Sequence, residues 1–144
     1  MNLLMFFQNH QASVGFTIDQ VRAAFQSSAA YKANVVIINC GTNDGGLQID
    51  IPHAGDRVRA LVNDIWATNG MANTCVMLST ILPTTNPITS VNRITMNEQY
   101  RQLVAELYTA GKCIYLAEMD PSGDASGWID ANNDLIDGTH PTVC

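Results

Sequence analysis

The chain has 144 residues, enough for one domain with a substantial core, and 47% of them are hydrophobic against 14% charged, which excludes a disordered chain. Its longest unbroken apolar runs, residues 3–7 and 35–38, are far too short to cross a bilayer, so no membrane partner is expected. A net charge of -6 argues against nucleic acid, whose binding rests on Lys and Arg contacts, and leaves neutral or weakly charged small molecules as partners.

The first seven residues, Met-Asn-Leu-Leu-Met-Phe-Phe, lack a basic stretch and a small-residue cleavage site, and so make a poor signal peptide. Thr17 and Gln20 form a capping box ahead of Val21, Ala24 and Phe25 at helical spacing, which predicts a helix over residues 18–31. The unbroken apolar run that begins at Val35 predicts a strand over residues 35–39, covered on both faces. Val58, Leu61, Val62, Ile65 and Trp66 then recur at the spacing of an amphipathic helix, ended near Asn69 and Gly70. A second buried strand is expected over residues 74–82, stopped by Pro83. Val91, Ile94, Leu103, Val104, Leu107 and Tyr108 mark a long helix closed by Gly111, residues 113–119 a third strand, and residues 128–143 mostly loop.

Alternating strands and helices of these lengths imply one α/β domain over residues 1–144, with a parallel sheet and helices on both faces. Sites in such folds gather beyond the carboxyl ends of the strands. Cys40, Cys75 and Cys113 lie in or beside the strands, where buried free thiols are the expectation. A Cys75–Cys113 bridge is conceivable, because both residues sit near strand starts, and the Cys spacings match no zinc pattern.

Two segments carry chemistry on the predicted carboxyl rim. In Asp-Gly-Thr-His-Pro, residues 137–141, His140 is a candidate general base, since an imidazole titrates at about 6.5. Asp137 is spaced to hold its tautomer, and Gly138 allows the bend. The plainer reading is a turn and a surface histidine. Asn43, at the end of the first strand, offers an amide to a developing oxyanion, or serves only as a turn residue. The N–H of Gly15, just before a helix, is a second such donor, although alone it reads as a turn.

Taken in order, Gly-Phe-Thr-Ile-Asp-Gln (15–20), Val-Val-Ile-Ile-Asn-Cys-Gly-Thr-Asn-Asp (35–44) and Asp-Gly-Thr-His-Pro (137–141) resemble blocks of the SGNH, or GDSL-type, hydrolases. The likeness spans nearly the whole chain and is nearest to the secreted carbohydrate esterases similar to acetyl xylan esterases. It implies a three-layer α/β/α, flavodoxin-like sheet, no cofactor or metal, a small ester or acetylated carbohydrate as substrate, and an extracellular location. It also implies that Gly15 and Asn43 are oxyanion donors, with Asp137 and His140 the acid and base of a Ser-His-Asp triad. The family's nucleophilic Ser stands in a Gly-Asp-Ser segment, which does not occur in these 144 residues. The family's first strand, its Ser turn and the following helix are expected before residue 1, and its terminal helix beyond residue 141, so the domain is expected to be truncated at both ends.

No other serine is a convincing nucleophile. Ser13 lacks the strand-to-helix elbow, Ser79 is within a strand, Ser27 and Ser28 are on a helix, and Ser122 and Ser126 are in a loop. Two alternatives stay open. One is a non-catalytic glycan-binding module, with Trp128 and Tyr115 stacking on a sugar. The other is a metal-assisted hydrolase using Asp44, His53, Asp137 and His140.

Overall fold

The computed structural model describes residues 13–120 and 129–141. The expectations for residues 3–7, Ser122, Ser126 and Trp128 lie outside the described residues.

Three parallel strands, β1 (Val35–Ile38), β2 (Cys75–Ser79) and β3 (Ile114–Ala117), pair in that order with Val36 beside Val76 and Val76 beside Ile114. Strand side chains alternate between faces. Ile38, Val76, Leu78 and Ile114 therefore share one face, and all are buried in the core. Onto it pack α1 (Ile18–Ser28), α3 (Ala54–Ala67) and α4 (Pro87–Thr109), through Ile18 and Phe25, the Val58 to Trp66 stripe, and Met96, Tyr100 and Leu103. The other face departs from expectation. Val35 and Ile37 are exposed, so among the described residues β1 packs into the core on one face, because the helices supplying the buried cluster all meet the even-numbered strand residues.

Local signals explain the helix starts. The Thr17 hydroxyl accepts from Gln20 N–H and the Gln20 side chain accepts from Thr17 N–H, closing the capping box. Asn86 Oδ1 accepts from Ile88 and Thr89 N–H, with Pro87 at the first turn where no donor is needed. The inward face of α4 carries Thr89, Met96, Asn97, Tyr100, Leu103 and Val104, whereas Val91 and Ile94 point to solvent. Its apolar residues belong to two faces, and the sequence pattern merges them.

A short helix, α2 (Thr42–Leu47), was not anticipated, because Gly45 and Gly46 disfavour helix on propensity. Packing overrides that. A Cβ on Gly45 would stand 3.3 Å from the Thr89 methyl, and one on Gly46 3.1 Å from the Thr89 hydroxyl. The Asn92 side chain also donates to Gly45 O at 2.8 Å. The glycines thus admit α4 at close range. The strands are shorter than expected. Beyond Ser79, the backbone of Ile81 bonds to the Asn97 side chain, which accepts its N–H at 2.7 Å and donates to its carbonyl at 3.0 Å.

The free-thiol expectation fails for one pair. Cys75 and Cys113 form a disulfide with Cα atoms 4.6 Å apart, while Cys40 is free and buried. The register puts Cys75, at the start of β2, beside Cys113, one residue ahead of β3, so the bridge that their places near strand starts made conceivable is the one that forms. Burial pushes the Cys40 thiol up to about 12, leaving it an inert hydrophobe.

Candidate active site

The first half of the candidate site is built by α2 as the chain leaves β1. Gly41 turns it with φ of 109°, a conformation that suits glycine, and a Cβ there would stand 2.5 Å from the Tyr100 hydroxyl. Asn43 and Asp44 then grip the segment leading into α1. Asn43 Nδ2 donates to Phe16 O at 3.0 Å. Asp44 is fully buried, and its Oδ2 accepts from Ile18 N–H at 2.9 Å. Its Oδ1 accepts from Arg57 Nη2 at 2.5 Å, and Arg57 also donates to Asp19 and to Ile49 O. This clasp fixes the approach to α1. Gly15 is in that approach, in a turn with φ of 81°, exposed and with open space where a side chain would be. Asn43 and Gly15 are thereby brought to one locality. An amide NH₂ has two hydrogens, and Phe16 takes one of Asn43's, leaving the other for a ligand.

The second half is the loop over residues 135–141. His140 Nδ1 meets Asp137 Oδ2 at 2.7 Å. Asp137 Oδ1 accepts from the N–H groups of Thr139 at 3.0 Å and His140 at 2.8 Å. The bond to the His140 ring and these backbone donors hold the carboxyl at about 2, below its ordinary 3.8. With Nδ1 donating to the carboxylate, Nε2 is the free basic nitrogen on an exposed ring. An isolated bridge pairs Leu135 with Pro141, and Ile136 N–H donates to His140 O at 2.8 Å. The loop docks on the segment after β2, where Thr85 N–H donates to Gly138 O at 2.8 Å and the Thr84 and Thr139 hydroxyls bond at 3.0 Å.

Both halves therefore stand beyond the carboxyl ends of parallel strands, one past β1 and the other against the chain past β2. They are linked through the start of α4, whose cap Asn86 follows Thr85 and whose Thr89 packs on α2. Among the described residues, no hydrogen bond joins the Gly15 and Asn43 pair to the Asp137 and His140 pair directly.

The remaining candidates separate. Asp44 is consumed by the clasp, and His53 pairs with Asp50 at 2.7 Å, a carboxylate that raises the imidazole's pKa. Among the described residues, no group of three ligating side chains could hold a metal, so the four-ligand set of the metal-assisted reading is not assembled. Ser79 is buried with its hydroxyl accepting from Asn39 Nδ2 at 2.8 Å, which removes it as a nucleophile. Tyr115 is exposed in the middle of β3, away from the carboxyl rim. Arg57, Thr84 and Thr85 escaped the sequence reading. Arg57 sits on the polar side of the α3 stripe, and the one available signal was a carboxylate at position 44 that would need a cation if buried.

A second Asp-x-x-His, Asp50 to His53, reproduces the 2.7 Å couple. The motif alone is therefore not diagnostic. What sets Asp137 and His140 apart is their attachment at the carboxyl end of the sheet.

The solved structures similar in shape include a carbohydrate esterase family 3 protein from Talaromyces cellulolyticus, 19% identical with a TM-score of 0.72. Another is an acetyl esterase mutant with acetate ion, 22% identical with a TM-score of 0.67. Each alignment covers 89% of this chain and 59% of that one, so the chain spans well under two thirds of their length. At such identity the likeness is one of fold, a parallel α/β sheet flanked by helices. No curated protein matches in sequence. Residues 5–143 match the GDSL-like Lipase/Acylhydrolase family over nearly the full chain, and the chain belongs to that family.

Proposed function

We propose that this chain is the base-and-oxyanion part of a serine ester hydrolase that removes acetyl groups from carbohydrate. The observation that carries the reading is the Asp137–His140 couple docked past β2, with Asn43, past β1, holding the carbonyl of Phe16 next to Gly15. In the intact enzyme, a Ser supplied from outside these 144 residues attacks the ester carbonyl. His140 Nε2 takes its proton and returns it to the leaving alcohol, while Asp137 keeps Nδ1 protonated. The free N–H of Asn43 and the N–H of Gly15 hold the developing oxyanion, and water then releases acetate by the same steps in reverse.

The family is one of lipases and acylhydrolases, and the two similar structures are described as a carbohydrate esterase and an acetyl esterase, which supports an acetylated sugar. The acidic chain fits a neutral substrate. The Cys75–Cys113 disulfide suits an oxidising, extracellular setting.

The test joins this chain, in one polypeptide, to the part of the Talaromyces cellulolyticus esterase that has no counterpart here. Hydrolysis of p-nitrophenyl acetate and acetylated xylo-oligosaccharide is expected from the fusion and only background from the chain alone. Asn43→Ala should lower kcat by about 10²–10³, and His140→Ala by several orders of magnitude. A fusion indifferent to both substitutions sinks the reading. Hydrolysis by the unfused chain that His140→Ala abolishes would instead put the nucleophile among these residues.

A further inference from the structure

Asn97 is a fully buried amide near the middle of α4, and both polar atoms of its side chain are committed. Its Oδ1 accepts from Ile81 N–H at 2.7 Å, while Nδ2 donates to Ile81 O at 3.0 Å and to Asp120 Oδ2 at 2.7 Å. An amide NH₂ has two hydrogens, so both are spent. Asp120 is fully buried as well, three residues past β3, and is ion-paired with Arg93, one turn earlier on α4. Ile81 stands two residues past β2. Its neighbour Thr80 still donates to Ala117 O at 3.1 Å, as in the sheet. Asn97 takes over from β3 at the next residue, bonding both backbone groups of Ile81 as a neighbouring strand would.

We infer that Asn97 is a positioning residue for the candidate base, His140. The chain after Ile81 has no helix or strand until Pro87, and Pro83 fixes one φ inside it, so its path follows from where Ile81 is held. That path leads to Thr84 and Thr85, on which Thr139 and Gly138 dock. His140 is the next residue. The same helix grips the other half of the site, because the Tyr100 hydroxyl donates to Cys40 O at 3.3 Å and Asn92 Nδ2 to Gly45 O at 2.8 Å. Asn97 on one side, and Asn92 and Tyr100 on the other, therefore let α4 set the spacing between the imidazole and Asn43. A misplacement of about 1 Å near reacting groups can cost about 10²-fold in rate. The value of that spacing for catalysis rests on the esterase reading, whereas the clamp on the loop does not.

The test reads amide hydrogen exchange in the chain as it is. Asn97→Ala should speed exchange more than tenfold at Thr85 N–H, which donates to Gly138 O. Exchange should stay unchanged at Gly45 N–H, in the Asn43 half, and at Val76 N–H, in the sheet core. Asn97→Asp keeps the side chain's size and the acceptor for Ile81 N–H but loses the amide's donors, and it should give the same pattern where the alanine variant does not fold. Exchange that rises alike at all three amides, or at none, overturns the inference, and so does a chain that folds with neither substitution, since Asn97 is then structural only. In the fusion described above, Asn97→Ala should lower kcat, counted per folded molecule, by about tenfold to a hundredfold with KM changed less than twofold. An active fusion whose kcat ignores the substitution also overturns it. An unsubstituted fusion without esterase activity counts against the esterase reading alone, and the exchange pattern then decides whether Asn97 holds the loop.

Discussion

Asp44 carries a charge with no exposed surface, and two elements depend on it. It caps the start of α1 through Ile18 N–H and neutralises Arg57, whose side chain is 12% exposed. Removing one partner of a buried pair leaves the other desolvated and uncompensated. Asp44→Ala should therefore cost about 3–5 kcal/mol in urea unfolding, whereas Asp44→Asn keeps an acceptor for Ile18 and should cost less. Equal losses would mean that the ion pair, not the α1 cap, dominates. Asp137 makes a different prediction because it is exposed. Its carboxyl titrates at about 2 rather than 3.8, held down first by the His140 ring and then by backbone N–H groups. A depressed native pKa means that the ionised couple is fully effective above the unfolded value and is lost as pH falls through the folded one. Between pH 4 and 2, the Thr139 and His140 amide signals should thus stay in place while ordinary aspartates protonate, then shift near pH 2. A midpoint at 3.8 in NMR titration would show that the couple does not form in solution.

At the level of elements, the docking of the 135–141 loop rests on Gly138. Its φ is 74°, and a Cβ there would fall 1.8 Å from the Thr85 hydroxyl, too close for any rotamer adjustment of the glycine position itself. Gly138→Ala combines a left-handed backbone with that collision, and either Thr85 turns away or the loop lifts. A non-glycine residue in such a conformation costs about 1–3 kcal/mol. The expected outcome is faster hydrogen exchange at Thr85 N–H, which donates to Gly138 O, with the core amides of β2 unchanged. Unchanged Thr85 exchange would show the loop held by other contacts. Some elements were legible in the sequence because local and global signals agreed: the Thr17 capping box starts α1, and the Val58 to Trp66 stripe is the buried side of α3. Others were not. α2 hides behind two glycines that its partner α4 requires, and α4 carries apolar residues on both a buried and an exposed side. The one-sided burial of β1 was misread because a run of β-branched residues carries no sign of which face of the strand the helices will meet.

For the whole molecule, the candidate site was more legible than the sheet, since Asn43 and His140 were located by their place after strands, a rule of topology that needs no register. Register is what the cysteines required. Val76 beside Ile114 puts Cys75 next to Cys113, and the resulting bond ties the starts of β2 and β3 across the whole of α4, a sequence separation of 38. Closing a loop of that size removes freedom chiefly from the unfolded chain, which stabilises a typical protein by about 2–4 kcal/mol. The effect should be large relative to what remains, because one face of this sheet contributes little apolar burial within the described residues. Urea unfolding with and without dithiothreitol should show the midpoint falling on reduction. The slope should also steepen, because the freed unfolded chain exposes more surface. The double variant Cys75→Ala, Cys113→Ala should match the reduced protein and lose all response to the reductant. Coincident curves for oxidised and reduced protein would mean that the pair is unbridged in solution, and with it would go the structural support for an oxidising compartment.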